Sequence, residues 1–205
     1  MSERGRPRSF DRQQALSRAM HLFWQKGFEE TSMSDLTQAM GIAPPSLYAA
    51  FGSKEALFTE ALDLYQATVN NEIWNALDEG ETIAAAIEGF LVNTARAYSR
   101  PDQPPGCMIV LGSNPAASEI AAIGEDLRLR RAENISQIMK RFERAVRQGE
   151  LADTFDCAAA AVFFATLQNG MSLLARDGGG QDALMAVARA AAPALEGMVR
   201  HHRRR

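Results

Sequence analysis

Gly27, Gly41 and Gly52 cut the start of the chain into helical segments too short to hold themselves together. From Asp11 to Lys26 the residues Leu16, Ala19, Met20 and Phe23 recur at the spacing of one helical face. Gly27 follows as a stop, and Phe28 can pack back on that end. Ser32-Met33-Ser34-Asp35 has the form of a capping box, with Ser32 as N-cap and Asp35 three residues on. It opens a second helix of barely two turns holding Leu36, Ala39 and Met40, which Gly41 ends. Ile42 to Tyr48 starts a third, with Pro44 and Pro45 in a first turn where a missing N–H would be unpaired anyway. Phe51-Gly52 breaks it, and Ser53 caps a fourth helix that runs through Leu57, Ala61 and Leu64 to about Leu77. Isolated helices this short are marginal in water. The second and third must therefore pack on the first and fourth, through a small core of Leu16, Met20, Phe23, Leu36, Met40, Ile42, Leu47 and Phe51. Three short helices with a tight turn at Gly41 make a helix-turn-helix pattern.

Past Gly80 the helical periods lengthen. Ile83, Ile87, Phe90, Leu91 and Thr94 mark a helix to about Ser99, and Arg100 to Gly106 is a loop rich in proline. Another helix is expected near Cys107, pausing around Ser113-Asn114-Pro115. A long one follows, with a stripe of Leu127, Arg131, Ile135, Ile138, Met139, Phe142 and Val146, and Gly149 closes it. A nearly all-apolar helix is expected from Asp156 to Ala175, and a last one from Gln181, which Pro193 should kink or interrupt. The chain of 205 residues is 46% hydrophobic and 23% charged, enough for a packed core, and its Ala-rich second half favours helix over strand. The expected fold is all-α: a three-helix helix-turn-helix domain with a basic arm over residues 1–58, and a larger helical domain over residues 59–205.

Several function classes find no support. Cys107 and Cys157 make neither a disulfide framework nor a metal-ligand pattern, so a reduced, cytoplasmic protein without metal or cofactor is expected. No apolar run approaches the ~18 residues of a membrane span, and the charged N-terminus does not resemble a secretory signal. An enzyme would need a nucleophile, His and carboxylate set. His21 lies in the helix-turn-helix part, while His201 and His202 sit in the basic tail with Arg200, Arg203, Arg204 and Arg205. Gly178-Gly179-Gly180 lacks the Lys and Ser/Thr of a phosphate loop. No catalytic residue is assigned.

A helix-turn-helix points to double-stranded DNA, because an α-helix fits the major groove, where base edges are readable. The third helix would enter by Ala43, Pro44, Pro45 and Ser46. Tyr48 can donate its hydroxyl to a phosphate, and Lys54 at a helix start can clamp one with backbone N–H groups. Thr31 and Ser32, near another helix N-terminus, could do the same. The net charge of −3 is not that of a dedicated nucleic-acid binder, so local basic surface has to suffice. Arg4, Arg6 and Arg8, with Arg12 behind them, suit a minor-groove arm. The plain alternative is that all these are ordinary capping and turn residues.

Leu22 to Leu36, Met40-Gly41-Ile42 and Ser46 to Leu57 together resemble the TetR/AcrR family of transcriptional regulators, without a gap from about residue 10 to 60. The resemblance implies an all-helical homodimer whose variable C-terminal domain binds an effector. It also implies phosphate contacts at Thr31, Tyr48 and Lys54 and closeness to bases at Pro44 and Pro45. The chain departs from the family pattern at Ala43-Pro44-Pro45, where a hydroxyl N-cap is usual. The loss of that cap removes roughly 1 kcal/mol of helix stabilisation, and the prolines offer bases only apolar contact. Ala49-Ala50 replaces the usual aromatic or His pair, which leaves Tyr48 as the main phosphate donor.

One helix in one groove buries too little for specific affinity, so a homodimer on a palindromic operator is expected. The apolar helix from Cys157 to Ala175, with the last helix and their symmetry mates, would form a four-helix interface. The expected function is a repressor released from its operator by an unidentified small-molecule effector. The alternative is a helical protein-interaction module that kept the fold without DNA binding. Candidate effector residues are Cys107, Phe90, Phe142, Gln168 and Met171, with Cys107 singled out because a helix start lowers a thiol's pKa.

Overall fold

The computed structural model describes residues 10–113 and 121–202, within which there are ten α-helices and no strand. Arg4, Arg6, Arg8, Arg203 to Arg205 and the expected pause at Asn114-Pro115 lie outside the described residues.

The glycine punctuation works as expected. Helix α1 (Arg12–Lys26) starts at Asp11, whose carboxylate accepts the N–H groups of Gln13 and Gln14, and ends at Gly27 with φ 83°. Helix α2 (Met33–Met40) has a complete capping box. Ser32 Oγ accepts the Asp35 N–H at 3.1 Å, and Asp35 accepts the Ser32 N–H at 3.1 Å. Gly41 then turns the chain with φ 69° in the left-handed region that glycine enters freely. Helix α3 (Pro44–Phe51) is likewise eight residues long. The short helices meet each other and bury their apolar sides, α2 on α1 and α3 on α4 (Lys54–Thr68), with Leu36, Met40, Leu47 and Phe51 inside. Leu16 and Ile42 are only partly buried.

The fourth helix does not run unbroken to Leu77. It stops at Thr68, and α5 (Asn71–Glu79) begins after two intervening residues. Val69 and Asn70 keep helical torsions, but the Asn70 N–H reaches back to the Tyr65 carbonyl at 3.2 Å, a wider-than-α step that displaces the following turn. Asn70 is buried at this joint.

The larger part contains α6 (Ile83–Tyr98), the single turn α7 (Met108–Leu111), α8 (Ala121–Arg147), α9 (Cys157–Arg176) and α10 (Gln181–His202). Helix α6 lies between α5, α9 and α10, and α8 packs along α9. Pro193 sits inside α10 without ending it. By length and composition α9 is the one described helix that could cross a membrane, contrary to the expectation that no segment qualified. One side of it is packed against its neighbours through Ala161, Phe164, Ala165 and Gln168, whereas Val162, Phe163 and Leu173 are exposed on the other. It is therefore not buried all round within one chain.

A single continuous hydrophobic core joins the two parts. Phe23 meets Phe58 edge-on at 5.0 Å and Trp24 meets Tyr65 edge-on at 4.9 Å, so α1 is seated on α4 by aromatic contacts. The expected division at 58/59 falls inside α4, with Phe58 and Tyr65 both serving that contact.

Candidate nucleic-acid interface

The site is the outward end of α3 with the N-termini of α2 and α4 around it. Ala43, at the N-cap of α3, makes no side-chain cap, and Pro44 and Pro45 occupy the first two helical positions. The first backbone donor of the helix, the Ser46 N–H, already bonds the Ala43 carbonyl at 2.9 Å. This end therefore presents no free N–H from its first turn. What it offers is the exposed apolar surface of Ala43, Pro44 and Pro45, the partly exposed Ser46, and Tyr48, which is 51% exposed. A large aromatic ring left in water on a helix whose other face is core is the strongest sign of an outside partner here.

Ser32 is exposed at the start of α2, with its Oγ accepting the Asp35 N–H and its hydroxyl also bonded to the Asp35 carboxylate. Lys54 opens α4, but its ammonium lies over the Phe28 ring, 4.3 Å from the centroid. Burial there lowers its pKa below the usual lysine range, opposed by the nearby carboxylates of Glu29 and Glu55. Reaching a phosphate requires the side chain to swing off that ring. Ser53 caps α4 by accepting the Ala56 N–H at 3.1 Å.

Two expectations need correction. Thr31 is fully buried and its hydroxyl donates to the Gly27 carbonyl at 2.6 Å, so it closes the α1–α2 turn and its side chain does not face a phosphate. Arg12, placed by the sequence with the basic arm, is not a free cation. It pairs with Glu60 at 2.7 Å, donates to the Ala50 carbonyl at 3.2 Å and stacks over Phe51. It ties α1, α3 and α4 together. Its i,j separations of 38 and 48 residues leave no local signal by which the sequence could show this.

The effector candidates are all interior. Phe90, Phe142, Gln168, Met171 and Cys107 are each no more than 3% exposed. The Gln168 amide donates to Thr94 Oγ at 3.2 Å, and Phe142 stacks between Phe155 and Phe164. They do not line one pocket. A cavity of about 760 Å³ runs as a groove between α6 and α10, bounded by Ile83, Ile87, Leu91, Leu151, Leu195 and Glu150, and it touches none of the five. Met171 alone reaches a shallow apolar depression of about 430 Å³ beside Phe163 and Leu174. The reason given for Cys107 also changes, because α7 is one turn long and has no macrodipole of consequence.

The coupling between the two parts rests on contacts between residues far apart in the chain, which no local pattern marks. The Trp24 indole N–H donates to the Gly106 carbonyl at 3.1 Å, and the Phe28 N–H to the Gly112 carbonyl at 2.8 Å. Ser113 donates to Glu29 at 2.5 Å, and Arg176 to the Trp24 carbonyl at 3.0 Å. Segment 106–113 is thereby clamped to the end of α1 and the loop after it.

Comparison with known proteins agrees with this geometry. The family model described as "Bacterial regulatory proteins, tetR family" matches residues 15–61. The chain is 33% identical over 187 residues to the HTH-type transcriptional repressor ComR of Escherichia coli K12, covering 90% of this chain and 89% of that one. It is 41% identical over 120 residues to the HTH-type transcriptional repressor BdcR of the same organism, covering 57% and 61%. Among solved structures it is similar to a cysteine mutant of the TetR family transcriptional regulator CifR, complexed with 26-base-pair double-strand operator DNA. The TM-score is 0.89 at 38% identity, covering 93% of this chain and 99% of that one.

Proposed function

The chain belongs to the TetR family of bacterial regulatory proteins, and from that premise we propose that it is a homodimeric repressor which leaves its operator when a small molecule binds the larger domain. Such a protein acts in the cytoplasm, with no catalytic role. The observation that carries the reading is Tyr48, half in solvent beside the apolar start of α3, on a helix-turn-helix whose other face is fully packed.

On this reading α3 lies in the major groove, with Ala43, Pro44 and Pro45 against base edges, where thymine methyl groups suit their apolar surface. Ser32, Ser46, Tyr48 and Lys54 hold phosphates, and Arg4, Arg6 and Arg8 reach into the minor groove. The dimer forms through the face of α9 that carries Val162, Phe163 and Leu173, together with α10, in a four-helix contact. A ligand that prefers the conformation with the wrong half-site spacing weakens DNA binding by its difference in affinity for the two states.

Selection of bound duplexes from a random pool, followed by affinity measurements over a range of salt, tests this. The expected result is a palindrome bound with steep salt dependence. Equal indifference to all duplexes at low salt would favour a protein-interaction module, which the donor-poor start of α3 would suit.

A further inference from the structure

We propose that the recess between α5 and α8 binds a small single-ring organic acid carrying at least two negative charges, and that this ligand is the effector. As a binding site it stands by itself; as the effector site it rests on the regulator reading above and names the class of ligand.

Three observations carry it. The first is the charge gathered on one helix face. On α8, Lys140, Arg144 and Arg147 recur at four- and three-residue spacing with Arg141 between them. All four line a recess of about 290 Å³, closed on the other side by Trp74 and Asp78 of α5. Four cations thus meet a single carboxylate there. Glu133 approaches Lys140 at 3.4 Å and Glu150 approaches Arg141 at 3.8 Å, but neither lines the recess. Arg147 is exposed and has no carboxylate partner among the described residues. Part of this charge has a structural use. Arg144 donates to the carbonyls of Leu77 at 3.0 Å and Asp78 at 3.2 Å, and Arg141 to that of Gly80 at 3.2 Å, which closes the end of α5. Lys140 and Arg147 take no part in that closure.

The second is Arg141 itself. It is 3% exposed, and Nη2 makes the bond to Gly80, whereas Nε and Nη1 are buried without a hydrogen-bond partner. A buried charge with unmade hydrogen bonds is costly, and an apolar side chain of similar volume is often as stable or more so. Burial, then the like charge of Arg144, lower the Arg141 pKa, opposed by Glu150 and Asp78. An anion in the recess relieves both causes, since its oxygens accept from the guanidinium and its charge offsets Arg144.

The third is the facing wall. Trp74 is half-buried, packs on Phe90 with ring centroids 5.2 Å apart, and lines the recess. An indole beside four cations suits a flat body whose charged groups point at the arginines. A volume of about 290 Å³ is at the small end for a ligand pocket, which holds that body to one ring. Arginine takes carboxylate and phosphate alike through charge-assisted hydrogen bonds, so either group satisfies the site. No residue of α9 or α10 lines the recess, and pairing through those helices leaves it open. The route to the DNA is short: α5 continues from α4 across the Asn70 joint, and α1 is seated on α4.

The test is calorimetry on the full chain at constant ionic strength. Isophthalate and phenyl phosphate are the probes, with benzoate as the single-charge control and isophthalamide as the neutral one. The expected result is one dianion per chain, bound about tenfold or more tightly than benzoate, and no binding of isophthalamide. Tighter binding of isophthalate assigns carboxylates to the ligand, and tighter binding of phenyl phosphate assigns a phosphate. Tryptophan emission should change on binding in the wild type and not in Trp74→Phe. Arg141→Met should abolish binding without lowering Tm, because it removes a charge that the free protein leaves unsatisfied. Arg147→Gln alters only an exposed side chain and should weaken binding several-fold. With the dianion present, affinity for a duplex recovered from the random pool should fall by about tenfold, and Arg141→Met should not respond.

Dianions bound no more tightly than benzoate overturn the site. So does binding that is equally tight in the wild type, Arg141→Met and Arg147→Gln, or that leaves tryptophan emission unchanged. If Arg141→Met fails to fold, Arg147→Gln and the emission change decide. Binding that leaves the affinity for DNA unchanged overturns the effector role. Failure of the untreated protein to bind any duplex counts against the regulator reading alone, and calorimetry still decides the site.

Discussion

Replacing Trp24 with Phe removes one N–H from the joint between the two parts and leaves every DNA-facing side chain in place. Both ends of the lost bond are interior: Trp24 is 1% exposed, and Gly106, whose carbonyl accepts at 3.1 Å, is buried. A buried carbonyl left without its donor costs about 1–3 kcal/mol. The smaller ring also gives up part of the edge-on contact with Tyr65, now at 4.9 Å, an interaction worth roughly 0.5–1.5 kcal/mol. Together these predict a loss of about 2–4 kcal/mol, which in a chain of this size lowers Tm by roughly 5–15 °C. Because one core runs through both parts, unfolding should remain a single transition with an unchanged denaturant slope. Urea and thermal melts of wild type, Trp24→Phe and Trp74→Phe would measure it, Trp74 being only half-buried. If Trp24→Phe loses less than about 1 kcal/mol, the Trp24–Gly106 bond does not hold the joint.

Three further outcomes follow from other parts of the structure. Lys54→Gln should reduce the slope of log affinity against log salt by about one ion per half-site and weaken all sequences alike, as loss of a phosphate contact requires. Phe163→Glu puts a carboxylate on the open face of α9, and sedimentation should then show a monomer with operator affinity reduced by an order of magnitude or more. Hydrogen bonding to the Ser32 N–H, then to the Ser32 hydroxyl, with help from Lys26, lowers the Asp35 pKa below 3.8. The carboxylate's contribution is present above that value and lost as pH falls through the lower folded one, so Asp35→Asn should flatten the acid limb of the stability curve.

Local chemistry made the helix boundaries legible. Gly27 and Gly41, the Ser32–Asp35 box and the Ser53 cap each act within four residues, and each appears where the spacing put it. What escaped depends on partners far along the chain. Thr31 has the composition of a phosphate contact, but it is spent on Gly27 because the turn between α1 and α2 tucks it inward. Arg12 looks like part of a basic arm until Glu60 is folded beside it. The break at Val69-Asn70 carries neither proline nor glycine, and a periodic pattern runs straight through it. Phe90 and Phe142 carried no sign of whether they faced a pocket or the core, since apolar composition is the same for both.

The prolines of α3 also change how much its missing cap costs. An N-cap side chain normally stabilises a helix by accepting from the N–H of the second or third helical residue, worth about 1 kcal/mol. Here the first two residues are Pro44 and Pro45, which have no N–H, so the usual set of orphan donors is already half gone. The remaining candidate, the Ser46 N–H, has found the Ala43 carbonyl at 2.9 Å. A serine at position 43 could only share that donor, so Ala43→Ser should stabilise the protein by less than about 0.5 kcal/mol, below the normal gain from a cap. The same substitution adds a hydroxyl to the apolar surface offered to bases, and it should shift the sequences recovered from a random pool at the position facing residue 43. A gain of a full ~1 kcal/mol with an unchanged consensus would mean that the helix start is strained, and that residue 43 faces no base.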